Sequence, residues 1–323
     1  MPNPKVLIAE SRYESHAEEE AVLAKIGVEV VLETSDDAAT LARLVADIDA
    51  LIVNLAPITA EIIGAMTRCK CISRYGVGVD SVDVGAATAK GIAVLNVRDY
   101  CLEDVSDQAL ALLMACVRKT ALTDRRVKAG EWNIAAKKPI FRIAGKTLGL
   151  VGFGAIARVM QRKVSGLNLA EVLVYDPYVP AEAVAKTGAR KVALGELLET
   201  SDFVSVHAPL TDDTRGLIGA GAFKRMKATA IIVNTSRGPL IDPDALYDAL
   251  KQGQINSAGI DVFSSEPPED ERKLFELENI VLSDHAGWYS EESQVDLQRS
   301  AAQNVALMLT GKPPLSCVNP EVL

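Results

Sequence analysis

Proton-transfer chemistry has few places to live in this chain, because its 323 residues include only three histidines, His16, His207 and His285. His285 lies in Ser283-Asp284-His285-Ala286-Gly287-Trp288, at the end of an apolar, strand-like run. Two more such runs end in Asn234-Thr235-Ser236-Arg237-Gly238 and in Gly259-Ile260-Asp261-Val262-Phe263-Ser264-Ser265-Glu266-Pro267. Together they bring a guanidinium, a carboxylate and an imidazole to strand ends. Arginine can grip a carboxylate through two parallel hydrogen bonds, and an imidazole can pass a proton either way near neutral pH. Singly, each has a bland reading: Arg237 as a loop cation, Glu266 as a solvated loop acid, His285 as a satisfied loop or core histidine. Their joint appearance at successive strand ends of one parallel sheet, where C-termini share a crevice, is what points to a site.

The same half of the chain carries a candidate nucleotide cradle. Gly152-Phe153-Gly154-Ala155-Ile156-Ala157 follows the apolar run Leu148 to Val151 and opens a helical pattern. Gly152 would permit the tight turn, Gly154 would let backbone approach a pyrophosphate, and the helix N-terminus at Ala155 and Ile156 would offer free N–H groups. The next strand, Glu171 to Tyr175, ends in Asp176, 24 residues beyond Gly152. A carboxylate there can accept both ribose hydroxyls and repels a 2′-phosphate, so the expected cofactor is NAD rather than NADP. As a strand-end turn residue before Pro177, Asp176 would explain its position but not its spacing.

The elements that must position these residues alternate along the whole sequence. KVLIA, VEVVLE, ALIVNL, KCISRY and IAVLNV occupy the first hundred residues, and KTLGLVGFG, EVLVYD, DFVSVH, AIIVNT, INSAGIDVF and NIVLSDH follow after residue 145. Strands alternating with helical stretches imply parallel sheets covered by helices. The first strand runs into Ala9-Glu10-Ser11-Arg12 without a glycine-rich turn, so the first half lacks a phosphate cradle. One long helix is expected from Glu103 to about Lys128, with Gly130 beyond its end. The cluster Glu266 to Arg272 reads as a surface loop.

Composition excludes other functions. Thirty-four basic against 43 acidic residues give a net charge of −9, which disfavours nucleic acid and anionic membranes as partners. The longest apolar stretch, Ala109 to Val117, falls short of the roughly 18 residues a spanning helix needs, and the N-terminal apolar run is too short for a signal peptide. Cysteines 69, 71, 101, 116 and 317 form no zinc-like spacing, so reduced thiols, no metal and a cytoplasmic location are expected.

At this point the sequence resembles the D-isomer-specific 2-hydroxyacid dehydrogenase family over essentially its whole length. The matching pieces are Arg74-Tyr75-Gly76-Val77-Gly78-Val79-Asp80 with Asp83, the fingerprint from Gly152, Val206-His207-Ala208-Pro209-Leu210-Thr211, the Arg237 segment, Gly259 to Glu266, and His285. Ala286 to Glu291 and Asp99-Tyr100-Cys101 look most like the subgroup that includes C-terminal-binding proteins.

The resemblance implies an α/β protein of two doubly wound parallel sheets. A Rossmann cofactor domain, 101–288, would be inserted in a flavodoxin-like catalytic (substrate) domain, 1–100 plus 289–323. It also implies a homodimer in which the long helix takes part. The implied reaction is reversible hydride transfer between NAD(H) and C2 of a small 2-oxo or D-2-hydroxy acid. His285 would be the acid/base, Glu266 would hold and charge-stabilise its imidazolium, and Arg237 with the Val77 and Gly78 amides would bind the substrate carboxylate. Asp261 would bind the nicotinamide carboxamide, Thr235 and Ser236 would line its ring, and His207, Ala208, Pro209, Thr214, Arg237, His285 and Gly287 would complete the cofactor site.

Three departures from the family pattern stand out. Ala157 replaces the third glycine, Asp284 stands where proline precedes the histidine, and Arg98 replaces a frequent proline. Trp288 could wall the substrate pocket or be a buried hinge aromatic, and Arg98 could read a second anionic group or be an exposed hinge cation. The competing class is an NAD(H)-sensing, corepressor-like binding protein with little turnover.

Overall fold

Strand runs in this chain are apolar on both faces, the pattern of a parallel sheet buried between helices. The computed structural model describes residues 3–9, 13–35, 37–135 and 138–323. They form two units, Met1–Cys101 with Ser290–Leu323, and Leu102–Tyr289.

In the first unit the strands are β1 (Lys5–Ala9), β2 (Glu29–Glu33), β3 (Ala50–Val53), β4 (Cys71–Arg74) and β5 (Ala93–Leu95). They pair in parallel in the order β2-β1-β3-β4-β5, the flavodoxin-like winding. Helices α1 (Ala17–Leu23), α2 (Ala38–Leu44), α3 (Ala60–Ala65) and α4 (Val84–Ala89) connect them. Starts are set by side chains that accept orphan amides: Asp37 from Thr40, and Asp83 from Ala86 at 2.8 Å. The expected plain turn after β1 falls on residues 10–12, outside the described residues.

The second unit begins with α5 (Leu102–Arg118) and α6 (Thr120–Lys128). Here the sequence reading is corrected: the expected single helix is broken at Lys119, whose φ of +52° is left-handed. The apolar face of α5 is buried over the sheet through Ala109, Leu112, Leu113 and Cys116, whereas α6 buries no residue, so the chain turns where its packing surface ends. Gly130 takes the positive φ expected after the second piece.

The seven strands that follow are β6 (Thr147–Val151), β7 (Glu171–Tyr175), β8 (Arg190–Lys191), β9 (Phe203–Val206), β10 (Ile231–Asn234), β11 (Ser257–Ile260) and β12 (Ile280–Leu282). All pair in parallel in the order β12-β11-β10-β9-β6-β7-β8, so the winding reverses between β6 and β9, the Rossmann switch point. The helices between them are α7 (Ala155–Lys163), α8 (Ala181–Ala185), α9 (Leu194–Thr200), α10 (Ala220–Arg225) and α11 (Pro243–Lys251). Helix α5 lies so close on β11 that a Cβ at Gly259 would come within 2.9 Å of Leu112.

A second correction concerns Glu266 to Arg272. It is not wholly a surface loop: residues Glu269–Glu276 form a 3-10 helix, and Glu271 is buried and accepts the Ser264 amide at 2.7 Å. The last helix, α12 (Glu291–Leu309), opens with a Ser290/Ser293 capping box and returns to the first unit against α1. Among the described residues no helix is long and apolar enough to cross a membrane.

Candidate active site

In the seven-stranded unit the C-terminal ends of β6, β9, β10, β11 and β12 lie on one side, and the loops leaving them carry the residues singled out from sequence. Gly152 has φ +90°, and a Cβ there would sit 2.7 Å from the Ala208 amide nitrogen, so only glycine lets β6 and β9 loops approach this closely. Gly154 caps α7 with open space around its missing side chain, and no side chain caps the first turn at Ala155 and Ile156. Ala157 is fully buried in the core, so its methyl is accommodated where the family pattern has glycine.

Asp176 steadies this cradle. Its carboxylate accepts the Phe153 amide at 2.8 Å and those of Tyr178 and Val179 at 2.9 and 3.0 Å. Partial burial opposes its charge, but the three amides and Lys191 outweigh it and hold the carboxyl below its ordinary value. Across the switch point, Thr214 Oγ1 donates to the Pro209 carbonyl at 2.7 Å and fixes the loop after β9. The His207 Nε2 lies 2.9 Å from Ser205 Oγ, and burial pushes the imidazole down to about 4, leaving it neutral at pH 7.

The loop after β10 is braced by its own asparagine. Buried Asn234 accepts the Ser236 amide at 3.0 Å and donates to the Arg237 carbonyl at 2.8 Å, while Ser236 Oγ donates to Val206. A Cβ at Gly238 would lie 2.0 Å from the Phe263 backbone, so the β10 and β11 loops touch there. Thr235 Oγ1 is buried without a hydrogen-bond partner among the described residues.

Two of the expected trio meet in this unit, and Arg237, whose Nη1 donates to the Ser236 carbonyl at 2.7 Å, acts on Glu266 through its charge. His285 Nδ1 lies 2.7 Å from Glu266 Oε2, and Glu266 Oε1 accepts the Phe263 amide at 3.1 Å. Burial raises the Glu266 pKa, but the hydrogen bond and charge of His285, the Phe263 amide and the Arg237 charge together hold it below its usual value. The carboxylate is therefore ionised and aimed at the imidazole. Asp284 is exposed. Trp288 is half-buried, edge-to-face with Tyr289 at 5.5 Å.

Asp261 is directed inward. It is 1% exposed, and its carboxylate accepts Ser283 Oγ at 2.6 Å, the Ala286 amide at 3.1 Å and the Gly287 amide at 3.0 Å. Gln108 of α5 joins it, donating from Nε2 to Ser283 Oγ at 2.9 Å and to Asp261 Oδ1 at 3.4 Å. Sequence reasoning missed Gln108. Its one signal was an amide among the alanines and leucines of an otherwise packing face.

The first unit holds the other expected residues. In the loop after β4, the Asn96 amide donates to Val77 O at 2.7 Å and Val97 N donates to Gly76 O at 2.9 Å. The Arg74 guanidinium lies over Gly76, where any Cβ would collide with it. Val77 is exposed, Gly78 is partly so, and Arg98 is exposed. Behind the loop, Tyr75 Oη donates to the buried Glu19 carboxylate at 2.5 Å.

Comparisons with known proteins bear on what this geometry does. The profile of a family described as D-isomer specific 2-hydroxyacid dehydrogenase, NAD binding domain, matches residues 110–287. A glyoxylate reductase of Korarchaeum cryptofilum is 41% identical over 283 residues, 86% of this chain and 85% of that protein. A D-3-phosphoglycerate dehydrogenase of Archaeoglobus fulgidus is 36% identical over 98% of this chain, which spans only 59% of that protein's length. The apo crystal structure of Rhodotorula graminis D-mandelate dehydrogenase superimposes with a TM-score of 0.88 at 30% identity, covering 98% of each chain.

Proposed function

The chain belongs to the D-isomer specific 2-hydroxyacid dehydrogenase family, and from that premise we propose how its own residues carry the reaction and on which substrate. It is an NAD-dependent oxidoreductase interconverting a 2-oxo acid and a D-2-hydroxy acid. NAD supplies the hydride acceptor and, reduced, the donor. The residues present fit that cofactor. The first turn of α7 has no side-chain cap and Gly154 leaves open space for a pyrophosphate. Asp176 has three amides on a carboxylate that can accept about four hydrogen bonds, which leaves room for a ribose hydroxyl. Thr235 Oγ1 is a buried polar atom awaiting a partner, suited to the nicotinamide end. Asp261 Oδ2 accepts one amide and keeps a position for the carboxamide.

The observation that carries the assignment of roles is the 2.7 Å contact between His285 Nδ1 and Glu266. With Nδ1 committed to a carboxylate, Nε2 is the nitrogen left to give a proton to the substrate oxygen in reduction and to take it back in oxidation. Glu266 stabilises the imidazolium and fixes the ring. Arg237 is the candidate in its unit for the substrate carboxylate, and the Val77 and Gly78 amides are candidates in theirs. The first unit thereby serves as the substrate domain and Leu102–Tyr289 as the cofactor domain. Arg98 and Trp288 are the candidates for reading the rest of the substrate.

We infer that the substrate is a small 2-oxo acid of the glyoxylate type, since glyoxylate reductases of Korarchaeum cryptofilum and Thermococcus litoralis are 41% and 36% identical to it. The five cysteines form no disulfide among the described residues, which suits a reducing, cytoplasmic setting. Trp132 and Ile134, 90% and 65% exposed on the segment after α6, suit burial against a second copy in a homodimer. NADH oxidation measured against glyoxylate, hydroxypyruvate and bulkier 2-oxo acids tests the reading. His285→Ala is expected to lower kcat about a thousandfold, the scale of general acid–base catalysis, with NADH binding intact. Tight NADH binding with no turnover on any acid would instead support the corepressor-like reading suggested by the C-terminal-binding subgroup.

A further inference from the structure

We propose that Gln108 and Ser283 are positioning residues for the proton-transfer step: acting through the Asp261 carboxylate, they fix the backbone turn that presents His285. The inference rests on the reading of His285 as the acid/base.

His285 has φ +58°, in the left-handed region that a non-glycine residue occupies only when its surroundings hold it there. Three backbone amides of that turn are tied to Asp261. The His285 amide donates to the Asp261 carbonyl at 2.8 Å, and the next two amides donate to the two oxygens of its side chain. The backbone from which the imidazole projects is thus tied to the orientation of a carboxylate, while Glu266 holds the ring itself. That carboxylate must itself be aimed. The one hydroxyl proton of Ser283 is spent on Oδ1, so the oxygen's lone pairs face Gln108, whose Nε2 donates to it at 2.9 Å. Because both atoms around it are acceptors, the amide of Gln108 must present its NH2 end. The relay therefore has one sense, from Gln108 to Ser283 to Asp261 to the turn.

The anchor of the relay is rigid. Gln108 sits on the 17-residue helix α5, next to the fully buried Ala109. Its Cβ and Cγ also lie 3.4 and 3.3 Å from where a Cβ at Gly287 would be, so the same side chain packs against the glycine of the turn. A histidine on a loop acquires the placement of a residue on a helix. An imidazole displaced by a fraction of an ångström would still accept cofactor and substrate, but would deliver its proton less well.

The test uses the full chain with NADH and glyoxylate, and the variants Gln108→Ala, Gln108→Asn, Ser283→Ala and Ser283→Thr. Gln108→Asn keeps an amide but is one methylene too short to reach Ser283. The first three are expected to lower kcat about 10-fold or more, with KM for glyoxylate within about twofold. Their solvent deuterium isotope effect on kcat should rise, because proton transfer becomes more limiting. Ser283→Thr retains the hydroxyl and should restore both values. Wild-type kcat in Gln108→Asn and Ser283→Ala, or a loss of kcat with an unchanged isotope effect and no rescue by threonine, overturns the proposal. His285→Ala separates the two readings. If it retains turnover, the acid/base assignment fails; if it abolishes turnover while the Gln108 and Ser283 variants behave as wild type, only the positioning proposal fails.

Discussion

Asp261 in the second unit and Glu19 in the first are buried carboxylates that hold loops at strand C-termini, and they do so by different means. Asp261 ends β11 and catches backbone: two amides on its side chain and one on its carbonyl. Glu19 comes from α1 and catches only side chains, Tyr75 Oη at 2.5 Å and the Gln298 amide of α12 at 3.1 Å. The loop that Tyr75 enters has further supports of its own, from Tyr75 N to Val53 O at 2.9 Å, from Val97 N to Gly76 O at 2.9 Å and from Asn96 to Val77 O. Three successive amides of the His285 turn converge on Asp261 as a hub. Loss of the hub should therefore be felt in chemistry, whereas loss of Glu19 should be felt in stability.

The largest expected effect is that of Asp261→Ala. It strands the Ser283 hydroxyl and the amides of Ala286 and Gly287, frees the left-handed turn and removes the carboxamide contact proposed above, so kcat should fall by about 100-fold or more and NADH binding should weaken, with the fold retained by circular dichroism. A kcat within threefold of wild type would erase the contrast between the two carboxylates.

Glu19→Ala should do the reverse. It leaves the Tyr75 hydroxyl and the Gln298 amide buried, the latter still bonded to Ser15 O at 2.7 Å. Denaturant unfolding should show a loss of about 2–4 kcal/mol, while kcat changes by less than about threefold because three other hydrogen bonds still shape the Gly76 loop. A large drop in kcat with unchanged stability would make the two carboxylates equivalent.

This contrast also marks where sequence reading succeeds. The trio Arg237, Glu266 and His285, the Gly152 turn and Asp176 were legible because each pairs a residue type with a strand end, and strand ends are set by apolar runs that sequence shows directly. Parallel sheets covered by helices followed from the same alternation, whereas the two winding orders came only with the family resemblance. Glu19 was not legible: within Glu18-Glu19-Glu20 it reads as solvated face, and only the packing of α1 on α12 turns one acid inward. The aim of Asp261 was hidden too, since a carboxylate at a strand end has the same spacing whether it serves a ligand or the next loop. The break at Lys119 carries no glycine or proline and follows from where α5 runs out of sheet to cover. The two-residue strand β8, Arg190–Lys191, is too short and too charged to show a period.

The smallest expected effect separates the two units by pH. His207, in the second unit, is held neutral by burial, with a pKa of about 4 against 6.5 in an unfolded chain. Below pH 6.5 the unfolded chain takes up a proton that the folded chain refuses, so this contribution is complete above pH 6.5 and is lost as pH falls toward 4. Between pH 7 and 5.5 the loss amounts to about 1 kcal/mol at 1.36 kcal/mol per pH unit. Urea unfolding at the two pH values measures it, and His207→Gln, which keeps a polar group beside Ser205, should remove that part of the slope. Amide exchange should show the acid-induced loosening in β6 and β9, next to the His207 loop, before it appears in the five-stranded sheet. An unchanged pH slope in His207→Gln, or loosening that begins in the first unit, would place the acid-sensitive element elsewhere and leave the comparison of the two units to their carboxylates alone.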